Sequence, residues 1–298
     1  MANTIATGLA NDAIAQESLA ALVKELSWFK SINFRPTTTE VMKGQDLVLT
    51  IPSTVTAQDF GASGYANADQ TLTSVACTVD QHKFVAYGIL DGEQDSSLVN
   101  LVESFAQVNA HALATAIVGD VLTDVEDAKA SDIPSAQQKT ITEANFGLDD
   151  LIDIGAEMDE AGISQLGRWA ILSPAYHAKL ENELITTISN SSVDVSGTLT
   201  NGVLGKVRGF DIFSCPSLSS SEAVFGVRDS LLVASAVPGL PEVTDGGQIN
   251  YVTEPSTGLT VQKRVNYDYA AASLNTVLAL YYGSKVVRPD TLVTVVAS

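Results

Sequence analysis

Ser97–Asp127, SLVNLVESFAQVNAHALATAIVGDVLTDVED, carries Leu98, Leu101, Val102, Phe105, Val108, Ala112, Leu113, Ala116, Ile117, Val121 and Val125 at three- and four-residue steps. Side chains at those steps stack on one side of an α-helix, so the stretch reads as a single helix with one apolar face. At 1.5 Å per residue it would span roughly 45 Å, nearly three times an average globular helix. A rod of that length suits a beam to which other parts, or other chains, are fastened. Its end poses a problem, because Asp124, Glu126 and Asp127 crowd a helix C-terminus, where negative charge is unfavourable. Either the helix ends slightly earlier, or a base from another segment or subunit compensates.

Ahead of the rod, Val41–Leu90 reads as a long two-stranded hairpin arm. Leu47, Leu49 and Ile51 alternate with Val48 and Thr50 until Pro52 stops the run. Val75, Cys77 and Val79 alternate with polar residues, and Phe84–Ile89 resumes an apolar strand. Between them, Gln58–Gln70 is a small, polar, glycine-bearing tip. A two-stranded ribbon is marginal in water, because one narrow face cannot offset its ordering entropy. The arm therefore implies something to lie on. Upstream, Ile14, Leu19, Leu22, Val23, Leu26 and Phe29 form an amphipathic stripe over Asp12–Lys30, ending before Phe34-Arg35-Pro36. Nothing nearby in sequence covers this stripe. It must dock on a distant part of its own fold or on a neighbour.

Beyond the rod, Asp132–Thr140 is a polar linker, followed by alternating helix and strand. Leu148–Ala161 is predicted helical, with Asp149 and Asp150 in its first turn and Gly162 as its stop. Arg168–Leu172 is a predicted strand, and Ser173-Pro174 reads as an N-cap opening a helix through Tyr176, Leu180 and Leu184. Ser189–Gly205 is a predicted loop, Val207–Cys215 and Ala223–Val227 are predicted strands, and Asp229–Ala236 is expected to be a short helix. Ile249–Val252, Leu259–Tyr269, Thr276–Tyr282 and Leu292–Val296 complete a β-rich tail.

The 298 residues exceed one typical domain, and 45 % hydrophobic with 17 % charged residues describes a well-cored chain. Net charge is −19, from 16 Lys plus Arg against 35 Asp plus Glu. Grasping nucleic acid through its phosphates needs clustered cations, so this balance argues against it. The acids concentrate in Asp91–Glu160, where Lys129 and Lys139 are the only bases. No apolar run reaches a membrane span, and no secretory signal or membrane partner is expected. Cys77 and Cys215 are far apart in sequence and read as two buried thiols of a reduced compartment.

Motifs for chemistry are scarce. His82, His111 and His177 are the only histidines, none in zinc spacing. Gly61-Ala-Ser-Gly64 fails the nucleophile-elbow spacing, and Gly202-Val-Leu-Gly205-Lys206 lacks the length and the hydroxyl of a phosphate loop. Adjacent carboxylates such as Asp149/Asp150 and Asp159/Glu160 point apart on a helix, which makes them a poor acid–base pair. No enzyme, cofactor or metal site is expected.

The order of parts resembles the Hong Kong 97-type major capsid proteins of tailed phages, whose relatives include the encapsulin shells of bacteria and archaea. Three local strings are similar to coat proteins of this kind: RWAILSPAYHAKL over Arg168–Leu180, NGVLGKVRGFDIF over Asn201–Phe213, and YGSKVVRP from Tyr282. The resemblance implies an α+β fold with an N-terminal arm over 1–33, an extended β-hairpin loop over 34–90 and a long spine helix in a peripheral domain over 91–140. An α/β axial domain would follow over 141–245, and 246–298 would return to the peripheral domain. On this reading the loop-tip residues Gln58, Asp59, Phe60, Tyr65 and Gln70, and the N-arm residues Leu19, Leu22, Leu26 and Phe29, are subunit-interface candidates.

The resemblance further implies a homo-oligomer of hexamers and pentamers in an icosahedral shell, assembled in a host cytoplasm and found in the virion. A separate scaffolding protein, a portal and cement or decoration proteins would be its partners, and DNA would be enclosed without sequence-specific binding. Some members weld subunits through a lysine near the loop tip. Gln58–Gln70 contains no lysine, so no such isopeptide link is expected. The alternatives are an encapsulin-like nanocompartment and, from another class, a carbohydrate-active or carbohydrate-binding protein with an acidic cleft.

Overall fold

The computed structural model describes residues 19–20, 22, 26–41, 44–52, 72–90, 98–190, 199–200, 203–218, 222–238, 248–253 and 259–296. The strands before the rod are β1 (Asn33–Val41), β2 (Gln45–Pro52), β3 (Leu72–Val79) and β4 (Gln81–Leu90). The rod itself is α1, Leu98–Ser131, 34 residues and about 51 Å long. Next come β5 (Gln138–Thr140), α2 (Leu148–Glu160), β6 (Arg168–Leu172), α3 (Pro174–Asn190), β7 (Leu199–Thr200), β8 (Val203–Leu204), β9 (Lys206–Val207) and β10 (Phe210–Ser214). The chain continues through β11 (Glu222–Val227), β12 (Leu231–Pro238), β13 (Gln248–Thr253), β14 (Thr260–Asp268), β15 (Ser273–Val286) and β16 (Val293–Val296).

Two six-stranded sheets organise these elements. One runs β1-β12-β15-β14-β13, with β4 on the other side of β15. The second runs β5-β16-β11-β6-β10-β9. The long helix serves both. Its Ile117, Val121 and Val125 share one apolar cluster with Val233, Leu278 and Leu280 of the first sheet and with Trp169, Ile171 and Val224 of the second. The other face of the second sheet, through Ala170, Leu172, Ala223 and Phe225, packs on Leu151, Ile154 and Met158 of α2 and on Tyr176 and Leu180 of α3. Strand side chains alternate between faces, so each strand feeds two cores.

Several expectations are corrected. Asp229–Ala236 is not a helix: β12 occupies it, parallel to β1 and antiparallel to β15. Its Leu231–Ala236 run is buried on both faces, and such a continuous apolar stretch fits a central strand as well as a helix. The rod does not end among its acids; it continues to Ser131, which leaves Lys129 in the last turn. Its buried stripe is Ala110, Leu113, Ala114, Ile117, Val118, Val121, Leu122, Val125 and Ala128, whereas Val108 and Ala112 face outward. The Ser173 hydroxyl is buried without a hydrogen-bond partner and makes no N-cap bond; only its carbonyl joins α3, accepting from His177 N–H at 2.9 Å. β4 and β1 belong to the first sheet, so the described free ribbon is β2 and β3 alone. The sheets also cross the expected segment boundaries, with β12 joining the tail strands and β16 joining the α/β lobe.

Candidate assembly interface

β2 and β3 form an antiparallel ribbon in register from Gln45↔Val79 to Pro52↔Leu72. Leu47, Leu49, Val75, Cys77 and Val79 share its lower face and pack on Leu232, Ala234, Ala236 and Val287. This is the seat that a marginal two-stranded element requires. Burial pushes the Cys77 thiol up to about 11, which keeps it protonated and inert. On the upper face the Thr78 hydroxyl donates to Asp46 at 2.6 Å. Val48 and Leu72 stand on that same upper face, 56 % and 69 % exposed.

The seat depends on a missing side chain. A Cβ at Gly283 would collide with the Thr78 carbonyl oxygen, 2.9 Å from that carbonyl's carbon and 3.1 Å from Val79 Cα. Tyr282 and Ser284, its neighbours on β15, face the opposite way and donate to Asp120 and Asp124 of α1. Lys83 Nζ adds an ion pair to Asp120 at 3.0 Å. One strand thus holds the ribbon on one face and the long helix on the other. Burial, with Asp127, Asp120 and Asp80 nearby, raises the Asp124 carboxyl above its ordinary range, although the Ser284 hydroxyl opposes this. Burial and the hydrogen bond to Asp120 push the Tyr282 phenol well above its usual value. These contacts give Asp120 and Asp124 partners within the fold, while Glu126 and Asp127 face outward near the helix end.

At the far end of the α/β lobe, the buried Arg168 organises a corner. Its guanidinium donates to Ser164 O at 3.0 Å, Gly155 O at 3.3 Å, Ile163 O at 2.7 Å and Asp159 Oδ1 at 2.6 Å. That hydrogen bond holds the Asp159 carboxyl below its ordinary range. Ile152, Leu166 and Arg208 help line an open groove of about 510 Å³ beside this clamp. Glu183 of α3 accepts from Leu148 N–H at 2.8 Å, which caps α2 from outside its own segment.

The interface candidates divide sharply. Leu19, Leu22, Leu26 and Phe29 lie in the core of their own chain, in the cluster that includes Leu113, Ile117 and Leu278. These four side chains therefore dock on a distant part of their own fold. Gln58, Asp59, Phe60, Tyr65 and Gln70 lie outside the described residues. Sequence reasoning missed the Arg168 clamp, although its acceptors lie within 13 residues of it. It also missed Val48 and Leu72, whose outward orientation depends on which ribbon face is seated. Among the described residues, no group of three His, Cys, Asp or Glu side chains could hold a metal ion.

No protein-family model and no curated protein matches the sequence. Solved structures do. The capsid of cyanophage P-SCSP1u superposes with a TM-score of 0.61 at 13 % identity, covering 90 % of this chain and 86 % of that one. The mature capsid of bacteriophage PhiM1 gives a TM-score of 0.55 at 14 % identity, covering 91 % and 86 %. A virus-like particle from Pyrococcus furiosus gives 0.52 at 12 % identity, covering 94 % and 96 %. Over about nine-tenths of its length the chain has the Hong Kong 97-type fold seen in phage capsid proteins.

Proposed function

We propose that this chain is the major capsid protein of a tailed bacteriophage, the repeating subunit of an icosahedral shell around double-stranded DNA. The observation that carries the proposal is the likeness to capsid subunits over nine-tenths of the chain. The ribbon is in keeping with it, since Val48 and Leu72 stand exposed among polar neighbours on its upper face. On this reading the role is geometric and involves no catalysis. One fold closes into hexamers and pentamers through head-to-tail contacts. The 58–70 tip clasps an adjacent subunit, and the net charge of −19 lets the wall confine DNA without gluing to it. A scaffolding protein, a portal and cement proteins complete the proposed partners.

Electron microscopy and light scattering of the purified full chain test this reading. Closed shells, tubes or capsomers are the expected outcome; a monomer at high concentration, alone and with its scaffolding protein, overturns it. The archaeal virus-like particle favours a second reading, an encapsulin-like compartment of the same fold. Shells that co-purify with a cargo enzyme and lack terminase and portal genes nearby would select that reading.

A further inference from the structure

Three of the chain's six arginines, Arg168, Arg208 and Arg228, meet at one end of one sheet. Arg168 pairs in register with Phe210 on one side and with Val227 on the other. Arg208 sits in the two-residue turn before Phe210, and Arg228 directly follows Val227. Arg168 is buried and fully engaged, so it contributes rigidity rather than a free charge. Arg208 and Arg228 are exposed, and no ion pair among the described residues engages either. With one strand between theirs, their backbones stand roughly 10 Å apart. Leu166, 86 % exposed, is carried on the loop just ahead of that middle strand. The turn is fixed as well: Arg208 and Gly209 hold φ of 50° and 91°, the conformation of a tight hairpin. Two guanidiniums around a bare leucine on a chain of net charge −19 are built to meet carboxylates.

The same lobe carries the complement. Asp149, Asp153 and Glu160 lie on one exposed flank of α2, and no ion pair among the described residues engages them. Asp153 and Glu160 are seven residues apart, which is about 10.5 Å along the helix axis and matches the arginine spacing. Yet these acids and arginines do not pair within the chain. We propose that the Arg208–Leu166–Arg228 corner of one subunit docks on the Asp153–Glu160 flank of α2 in a second copy. The contact is head to tail, the kind that closes into a ring where the rotation between copies allows it. This assignment rests on the shell-subunit reading and names the contact that would organise a capsomer.

Charge reversal tests it on the full chain, with sedimentation velocity and electron microscopy as readouts and circular dichroism as the folding control. Arg208→Asp is chosen because aspartate tolerates positive φ. The R208D/R228E variant and the D153R/E160R variant should each stay folded and need at least ten-fold more protein to assemble. Combining all four substitutions should restore assembly. Either two-fold variant assembling like the parent overturns the docking while leaving the shell reading intact, and so does failure of the folded combination to recover. A parent chain that never assembles removes both. Loss of binding to a DNA duplex in R208D/R228E, with assembly unchanged, would reassign the corner to phosphates and also overturn the proposal.

Discussion

Gly283 and Thr78 meet backbone to backbone, closer than any side chain at residue 283 could permit. Gly283→Ala should therefore lift the ribbon from its seat. Relief of that collision costs about 1–3 kcal/mol, the range for overpacked sites. Denaturant unfolding should report the loss, and hydrogen exchange should rise at β3 amides. An alanine variant with parental stability and unchanged β3 protection would show that the seat tolerates a methyl group.

Asp124 gives the protein a pH dependence of definite sign. Its folded carboxyl is raised from the ordinary 3.8, so the native state binds this proton more tightly than the unfolded chain does. Its contribution to stability is complete below about that ordinary value, declines as pH climbs through the raised folded value, and is flat beyond. Asp124→Asn, which can still accept from the Ser284 hydroxyl, should stabilise the protein at neutral pH and flatten this part of the profile. Chemical denaturation between pH 4 and 8 checks it; an unchanged slope in the variant would remove Asp124 as the source.

Arg168→Met should be among the most damaging single substitutions. It strands the carbonyls of Ser164, Gly155 and Ile163 beside α2 and frees Asp159. Leaving the buried Ile163 carbonyl without its donor alone costs about 1–3 kcal/mol. A drop in thermal midpoint is the expected reading, with Arg168→Lys recovering little because its single ammonium cannot span the same acceptors.

Glu183→Gln keeps an oxygen to accept from Leu148 N–H but loses its charge at the start of α2, whereas Glu183→Ala loses the cap outright. The alanine should cost about 1 kcal/mol and the glutamine less. Thermal melts of the two variants rank them. Equal melts for alanine and parent would mean that water replaces the carboxylate without loss.

Val48→Asp with Leu72→Asp places charge on the ribbon's upper face, where both side chains are already solvated. The monomer's unfolding midpoint should barely move, while shell yield by electron microscopy should fall sharply. Shells formed at parental yield would discharge the upper face from any role in assembly. Boiled in denaturing detergent, parental shells should run as single subunits, since residues 58–70 offer no lysine for a covalent link.

Much of this was legible from periodicity. The rod and the two strands of the ribbon follow from spacings of 3.6 and 2 that local sequence must obey. β12 was not legible, because LLVASA buried on both sides has no period to read. Nor was the fate of Leu19, Leu22, Leu26 and Phe29: an apolar stripe announces that it needs cover, without saying whose. The arginine corner lay hidden for a topological reason. Residues 168, 208 and 228 become neighbours only once β10, β6 and β11 pair.

Tyr282, Gly283 and Ser284 are consecutive on β15, so the contacts that grip the arm and those that grip the rod lie about 3.4 Å apart along one chain. No pliant segment separates them. A pull on the arm from a neighbouring subunit would pass into the rod almost undiminished, and through the rod into both sheets. A shell made of such units would respond to internal pressure as stiff linked girders, with strain shared across copies rather than absorbed at the joints.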